Sequence, residues 1–227
     1  MRLSLLLLFL SLSLLAQSAP VSTWDNQMYM GNKINGIVKN WRLSGDIQVR
    51  LSNDLQALDQ WYVEFIASYM VSPNWEIIPD FRFTTRPDRL ENRLGFSVIR
   101  KDHILSSPKI KHQFINQVKY QLDFNSSRFE TGVRYLFGYN MLVNKKLIPS
   151  FAVGAFYRWS DTFDGVQFIR GGPGLGFVID EIHTFNVAYY FGVKDLGSQK
   201  VYQGIISLQL VFNINRNYKY IPARYEM

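Results

Sequence analysis

Three histidines stand near hydroxyl residues: His103 and His112 flank Ser106 and Ser107, and His183 precedes Thr184. A histidine within hydrogen-bond reach of a hydroxyl, and oriented by a third group, makes a nucleophile for acyl transfer. In an exported β protein that chemistry would be a lipid hydrolase or acyltransferase. No compact motif here supplies nucleophile, base and orienting group together, so the histidines read as interfacial residues near strand ends and no catalytic residue is assigned. No histidine or carboxylate pair has metal-ligand spacing that stands out. Absence of cysteine removes thiol chemistry and thiolate metal sites, and no metal or other cofactor is expected. The run Gly171-Gly172-Pro173-Gly174-Leu175-Gly176 has the glycine density of a phosphate loop, but no helix follows it. Asn125-Ser126-Ser127 matches a glycosylation acceptor and reads better as a hairpin turn.

The larger chemistry-bearing set is charged. Arg42, Arg50, Arg82, Arg93, Lys111, Lys119, Arg128 and Arg134 fall on the same face of their segments as Asp46, Glu64, Glu76, Asp80, Glu91, Asp123 and Glu130. If that face is interior, its charges must be paired, which predicts an internal salt-bridge network; the functional alternative is a polar pore or solute site. Further along the chain the same face carries fewer charges and smaller side chains: Ser150, Ala152, Gly154, Arg158, Arg170, Gly172, Thr184, Asn186, Ala188, Tyr190, Gln203, Ser207 and Gln209. Any small-solute path is expected between the charged wall and this small-residue wall.

Period-two alternation defines the elements that position these residues. In Ile110 to Phe124, Ile110, His112, Phe114, Val118, Tyr120, Leu122 and Phe124 oppose Lys111, Gln113, Gln117, Lys119, Gln121 and Asp123. No helical period produces that split. Trp41 to Leu51 and Phe129 to Met141 alternate similarly, and weaker runs cover Trp61–Val71, Trp75–Thr85, Leu90–Lys101, Leu147–Trp159, Val166–Ile179, Phe185–Val193 and Tyr202–Phe212. Turn residues separate them, as in Ser72-Pro73-Asn74, Arg86-Pro87-Asp88 and Asp164-Gly165. Links this short make neighbouring strands antiparallel.

The expected fold is therefore all-β: a closed antiparallel up-and-down transmembrane β-barrel of about ten strands, each near the ~9–11 residues that cross a bilayer. Closure removes the two sheet edges, whose unpaired backbone groups are costly in lipid. Ser22 to Lys33 is a candidate eleventh strand, and twelve would follow if one further strand were missed. Ten is preferred because bacterial single-chain barrels favour even counts. Pro149 and Pro173 lie inside proposed strands, and a bulge or sharp bend is expected at Pro173. Alternation is symmetric and does not say which face is inside. A soluble exported barrel with a small apolar ligand would need the opposite polarity; strand number, Trp and Tyr near strand ends, and the bulk of the apolar groups favour lipid outside.

Arg2, the apolar run Leu5 to Leu15 and the small-x-small site Ala16-Gln17-Ser18 predict a cleavable export signal over residues 1–18. Residues 19–39 are an N-terminal segment or first strand, 40–213 the barrel, and 214–227 a basic tail with Arg216, Lys219 and Arg224. The formal charge of +7 falls by one when Arg2 is removed. It is spread along the strands, which argues against a nucleic-acid partner. Expected partners are outer-membrane lipid and, if the lumen is open, small solutes, with a monomer favoured.

Trp24, Lys39-Asn40-Trp41-Arg42-Leu43 and Val49-Arg50 resemble the opening of the domain-of-unknown-function 2490 family of Gram-negative outer-membrane β-barrels, a tryptophan strand followed by a "KxWxL" strand ending in arginine. Glu91-Asn92-Arg93, Glu130 to Arg134, Arg170-Gly171-Gly172 and Tyr189-Tyr190-Phe191-Gly192 are similar to later features of that family. The resemblance covers most of the chain after the signal. It implies a barrel and an outer-membrane location, and brings no activity or catalytic residues. A non-enzymatic barrel, either a narrow channel or a structural and surface protein, is the functional expectation.

Overall fold

The computed structural model describes residues 23–107, 110–125, 129–143, 146–161, 163–194, 196 and 200–215. The signal segment, Arg128 and the tail from 216 onward lie outside the described residues. Eleven strands follow one another: β1 Thr23–Val38, β2 Trp41–Ser52, β3 Ala57–Met70, β4 Trp75–Thr85, β5 Leu90–Ser107, β6 Ile110–Phe124, β7 Phe129–Val143, β8 Leu147–Ser160, β9 Phe163–Val178, β10 His183–Lys194 and β11 Val201–Asn213. Each pairs antiparallel with its sequence neighbours, and β1 pairs with β11 to close a single barrel.

Among the described residues the count is eleven, one above the preferred ten, because the N-terminal segment is a full 16-residue strand. An odd number changes the closure. In an up-and-down meander of eleven, the first and last strands point the same way, so they must pair parallel. They do so from Thr23↔Val201 to Asn35↔Asn213. The beginning of β1 and the end of β11 consequently lie at opposite ends of the barrel. The end where β1 begins is called proximal here, and the other distal.

Prolines fit this sheet by giving up pairing on one side only. Pairing between β3 and β4 lapses between Ile66↔Asp80 and Tyr69↔Ile77, opposite Pro79. It lapses between β7 and β8 opposite Pro149 and between β9 and β10 opposite Pro173. On their other sides the three prolines pair with Phe96, Leu175 and Phe151. Proline lacks the N–H that one of its two ladders requires, so each ladder loses a bond while its register continues unchanged. The bulge expected at Pro173 is thus absent. It lies instead around Gln167, where register shifts between Phe156↔Phe168 and Tyr157↔Val166.

The barrel wall has a definite polarity. Trp41, Leu43, Ile47, Phe65, Phe81, Phe96, Val118 and Phe191 are exposed on the outside. On the intervening positions Arg42, Asp46, Glu64, Glu76, Asp80, Arg82, Lys119 and Asp123 are buried inside. All five tryptophans are exposed on the outer face near strand ends: Trp24, Trp61 and Trp159 proximally, Trp41 and Trp75 distally. The 11 residues of β4 run from Trp75 to Thr85 beside Trp61. At ~3.3 Å per residue and a ~40° tilt they cover about 25 Å of barrel height, the height of a membrane barrel's apolar band.

Candidate functional site

Inside the distal half, side chains of β3 to β6 form layers. Nearest the distal end, Glu76 and Lys101 are paired and both 0% exposed; Arg42 lies 3.5 Å from the same carboxylate and the Ser68 hydroxyl donates to it at 2.7 Å. Next comes an apolar layer of Ile66, Ile78, Ile99 and Ile115. Beneath it Lys119 bridges Asp80 at 2.7 Å and Glu64 at 3.6 Å, and Arg82 donates to Glu64 at 3.0 Å. On β1, β10 and β11, Tyr29, Ala188, Tyr190 and Ile205 form a second apolar cluster. Along the small-residue wall, a cavity lined in part by Gly138, Ser150, Ala152, Gly176 and Asn186 measures about 30 Å³, room for water and little else.

Backbone space is reserved for this network. A Cβ on Gly95 would collide with the Asp80 carboxylate and the Lys119 stem. Gly95→Ala is therefore expected to destabilise the folded barrel by about 1–3 kcal/mol through overpacking, read as a lower thermal midpoint in detergent. An unchanged midpoint would show that the pair has room to shift.

The proximal half is open. A cavity of about 160 Å³ enters the lumen from that end and is lined by Tyr29, Arg50, Arg82, Arg86, Arg93, Arg134, Phe156, Arg158, Phe168, Arg170 and Lys194, among others. At its rim Arg86 pairs with Asp59 and Glu91 at 3.0 Å each. Deeper, Arg93 pairs with Asp123, and Arg158 with Glu130 at 2.9 Å and Asp123 at 3.7 Å.

Of the charges read from the sequence, Arg42, Glu64, Glu76, Asp80, Arg82, Glu91, Arg93, Lys119, Asp123, Glu130 and Arg158 take part in ion pairs. Asp46 is buried and accepts from Gln209 at 3.3 Å. Lys111 is an exception: near the beginning of β6 its side chain is exposed at the distal rim, because β6 there extends beyond the layered interior. Arg50, Arg134 and Arg170 also depart from the expected pairing, since none forms an ion pair among the described residues.

Several interior residues were missed. Lys101 shares the parity of Arg93 and Ile99, so alternation alone would have placed it. Tyr29, Tyr62, Phe156 and Phe168 line the lumen because arginines stack on them: Arg82 lies 3.9 Å from the Tyr62 ring centre and Arg170 3.8 Å from that of Phe168. An aromatic that serves as a platform for a cation looks, in sequence, like one that faces lipid.

The histidines all lie toward the distal end and do not converge on a triad among the described residues; the side chains of Ser106 and Ser107 lie outside the described residues. His112 Nδ1 lies 2.8 Å from the Tyr139 hydroxyl and His183 Nδ1 2.7 Å from Asp180, while His103 is exposed. In the β9–β10 turn Asp180 also accepts from the Ile182 and His183 amides at 2.7 Å, and those bonds hold its carboxyl down at about 2. Among the described residues no group of three His, Asp or Glu is placed to hold a metal ion.

No protein-family model matches this chain, and no curated protein matches it.

Proposed function

We propose that this chain is an integral outer-membrane β-barrel, non-enzymatic, whose lumen is occluded distally and forms a cation-lined vestibule proximally. It acts as a structural or surface protein of the membrane and not as a general diffusion pore. One observation carries the reading: an apolar outer band edged by all five tryptophans encloses a buried, largely ion-paired interior. A soluble barrel holding an apolar ligand would have the reverse polarity. The export signal read from the sequence of residues 1–18 and the resemblance of the strand motifs support the outer-membrane location.

The occlusion follows from layers of charge, isoleucine and charge stacked in the distal half. Ions crossing an isoleucine constriction must shed water, and such constrictions close pores by dewetting. Protein folded in detergent and added to planar bilayers is expected to insert without the stepwise conductance of an open pore. Regular large steps would overturn the occlusion while leaving the membrane assignment intact.

A further inference from the structure

We propose that the proximal vestibule is a binding site for a small multivalent oxyanion of the phosphate class, held by Arg50, Arg134 and Arg170. The three lie on β2, β7 and β9 but meet around one cavity of about 160 Å³. Shared aromatic platforms link them. Arg50 stacks 4.2 Å from the Tyr29 ring centre, and Arg170 donates to the Tyr29 hydroxyl at 3.3 Å. Arg170 also stacks on Phe168, and Arg134 lies 5.7 Å from the centre of the same ring.

Their own bonding leaves capacity unused. Arg50 donates through Nε to Gln48 at 2.7 Å, Arg134 reaches Gln121 only at 3.5 Å, and Arg170 has the Tyr29 hydroxyl alone. Buried Nε atoms of Arg134 and Arg170 have no acceptor. A guanidinium carries five N–H donors in one plane; stacking on a ring covers a face and leaves the donor edges for in-plane acceptors. Among the other arginines lining the cavity, Arg82, Arg86, Arg93 and Arg158 each already hold a carboxylate, although the Nε atoms of Arg82 and Arg158 also have no acceptor.

Three guanidinium charges without an ion pair, held close together, repel, more strongly in a lumen than in water; of the three, the Asp46 carboxylate offsets part of the charge of Arg50 alone. A ligand with several negative oxygens neutralises them and accepts bidentate pairs. A single carboxylate would neutralise only one. The vestibule lies within the wall, so a soluble anion enters from the proximal end, whereas a lipid headgroup would have to leave its bilayer to reach it. The shared chemistry is the phosphate group, and the soluble source is the one assigned.

The test uses the full chain folded in detergent, with inorganic pyrophosphate titrated calorimetrically at constant ionic strength. Saturable binding at one site per chain and a rise in thermal midpoint are expected. Arg134→Met and Arg170→Met should each weaken binding about tenfold or more. Without ligand their midpoints should hold or rise, since each change removes an unpaired interior charge. Lys146→Met, on the exposed distal side, should leave binding unaltered. Absence of saturable binding by folded protein overturns the site. So do unchanged affinity in both arginine variants, or ligand-free midpoints that fall sharply, which would mark the arginines as structural. Binding of short-chain phosphatidate micelles without binding of pyrophosphate overturns the soluble source. The inference rests on the lumen alone; a failed membrane assignment would appear separately, as recovery of the protein in the soluble fraction.

Discussion

Glu76→Leu is expected to destabilise the barrel by about 3–5 kcal/mol, because Lys101 and Arg42 would keep their charges inside the wall without the carboxylate that holds them. Glu76 and Lys101 are both 0% exposed, so solvent does not screen the loss. The Ser68 hydroxyl loses its acceptor as well. Removing cation and anion together has a different outcome: in Glu76→Leu combined with Lys101→Met, most of the stability should return, since apolar groups of similar volume replace a buried pair at little net cost. Urea midpoints of the two variants in the same detergent decide the point. If the double variant is no more stable than the single, the layer is held by shape and not by charge compensation.

Phe65→Arg carries the second large effect. Phe65 lies near the middle of β3 on the outer face and is 61% exposed. In lipid, an arginine at mid-height on a barrel's outer face costs about 2–4 kcal/mol, whereas a loop substitution such as Asp88→Arg should stay within about 0.5 kcal/mol. Folding equilibria in lipid vesicles would show the difference. Equal tolerance of both changes would mean that the apolar outer band does not meet lipid.

Alternation was enough to locate nine of the strands to within a few residues, with β5 running on to Ser107, six residues past its expected end at Lys101, and to sort Arg42, Glu64, Asp80 and Lys119 from Trp41, Phe65 and Val118. A pleated strand makes parity a spatial fact, so nothing tertiary was needed. The sign of the wall was not legible, because inside and outside exchange without altering the pattern; it emerges once Glu76 and Lys101 are found buried together and Trp75 exposed. The strand count of about ten came within one of the eleven observed; what the pattern did not give is that Thr23–Val38, the candidate eleventh strand, pairs with β11 across the whole chain length. Charge balance misled more subtly. Near-equal numbers of cations and anions on the early strands implied complete pairing, yet Arg158 on β8 shares Asp123 with Arg93 and takes Glu130, leaving Arg134 without a carboxylate. Counting charges along the chain does not tell which of them the barrel brings within reach.

The central claim is that the apolar face meets lipid around a closed, charged interior. Gel migration of detergent-extracted protein with and without boiling tests it most directly. A membrane barrel stays folded in cold detergent and should migrate apart from its boiled form, with the protein recovered from the membrane fraction. Recovery in the soluble fraction, with identical migration before and after boiling, would contradict the account.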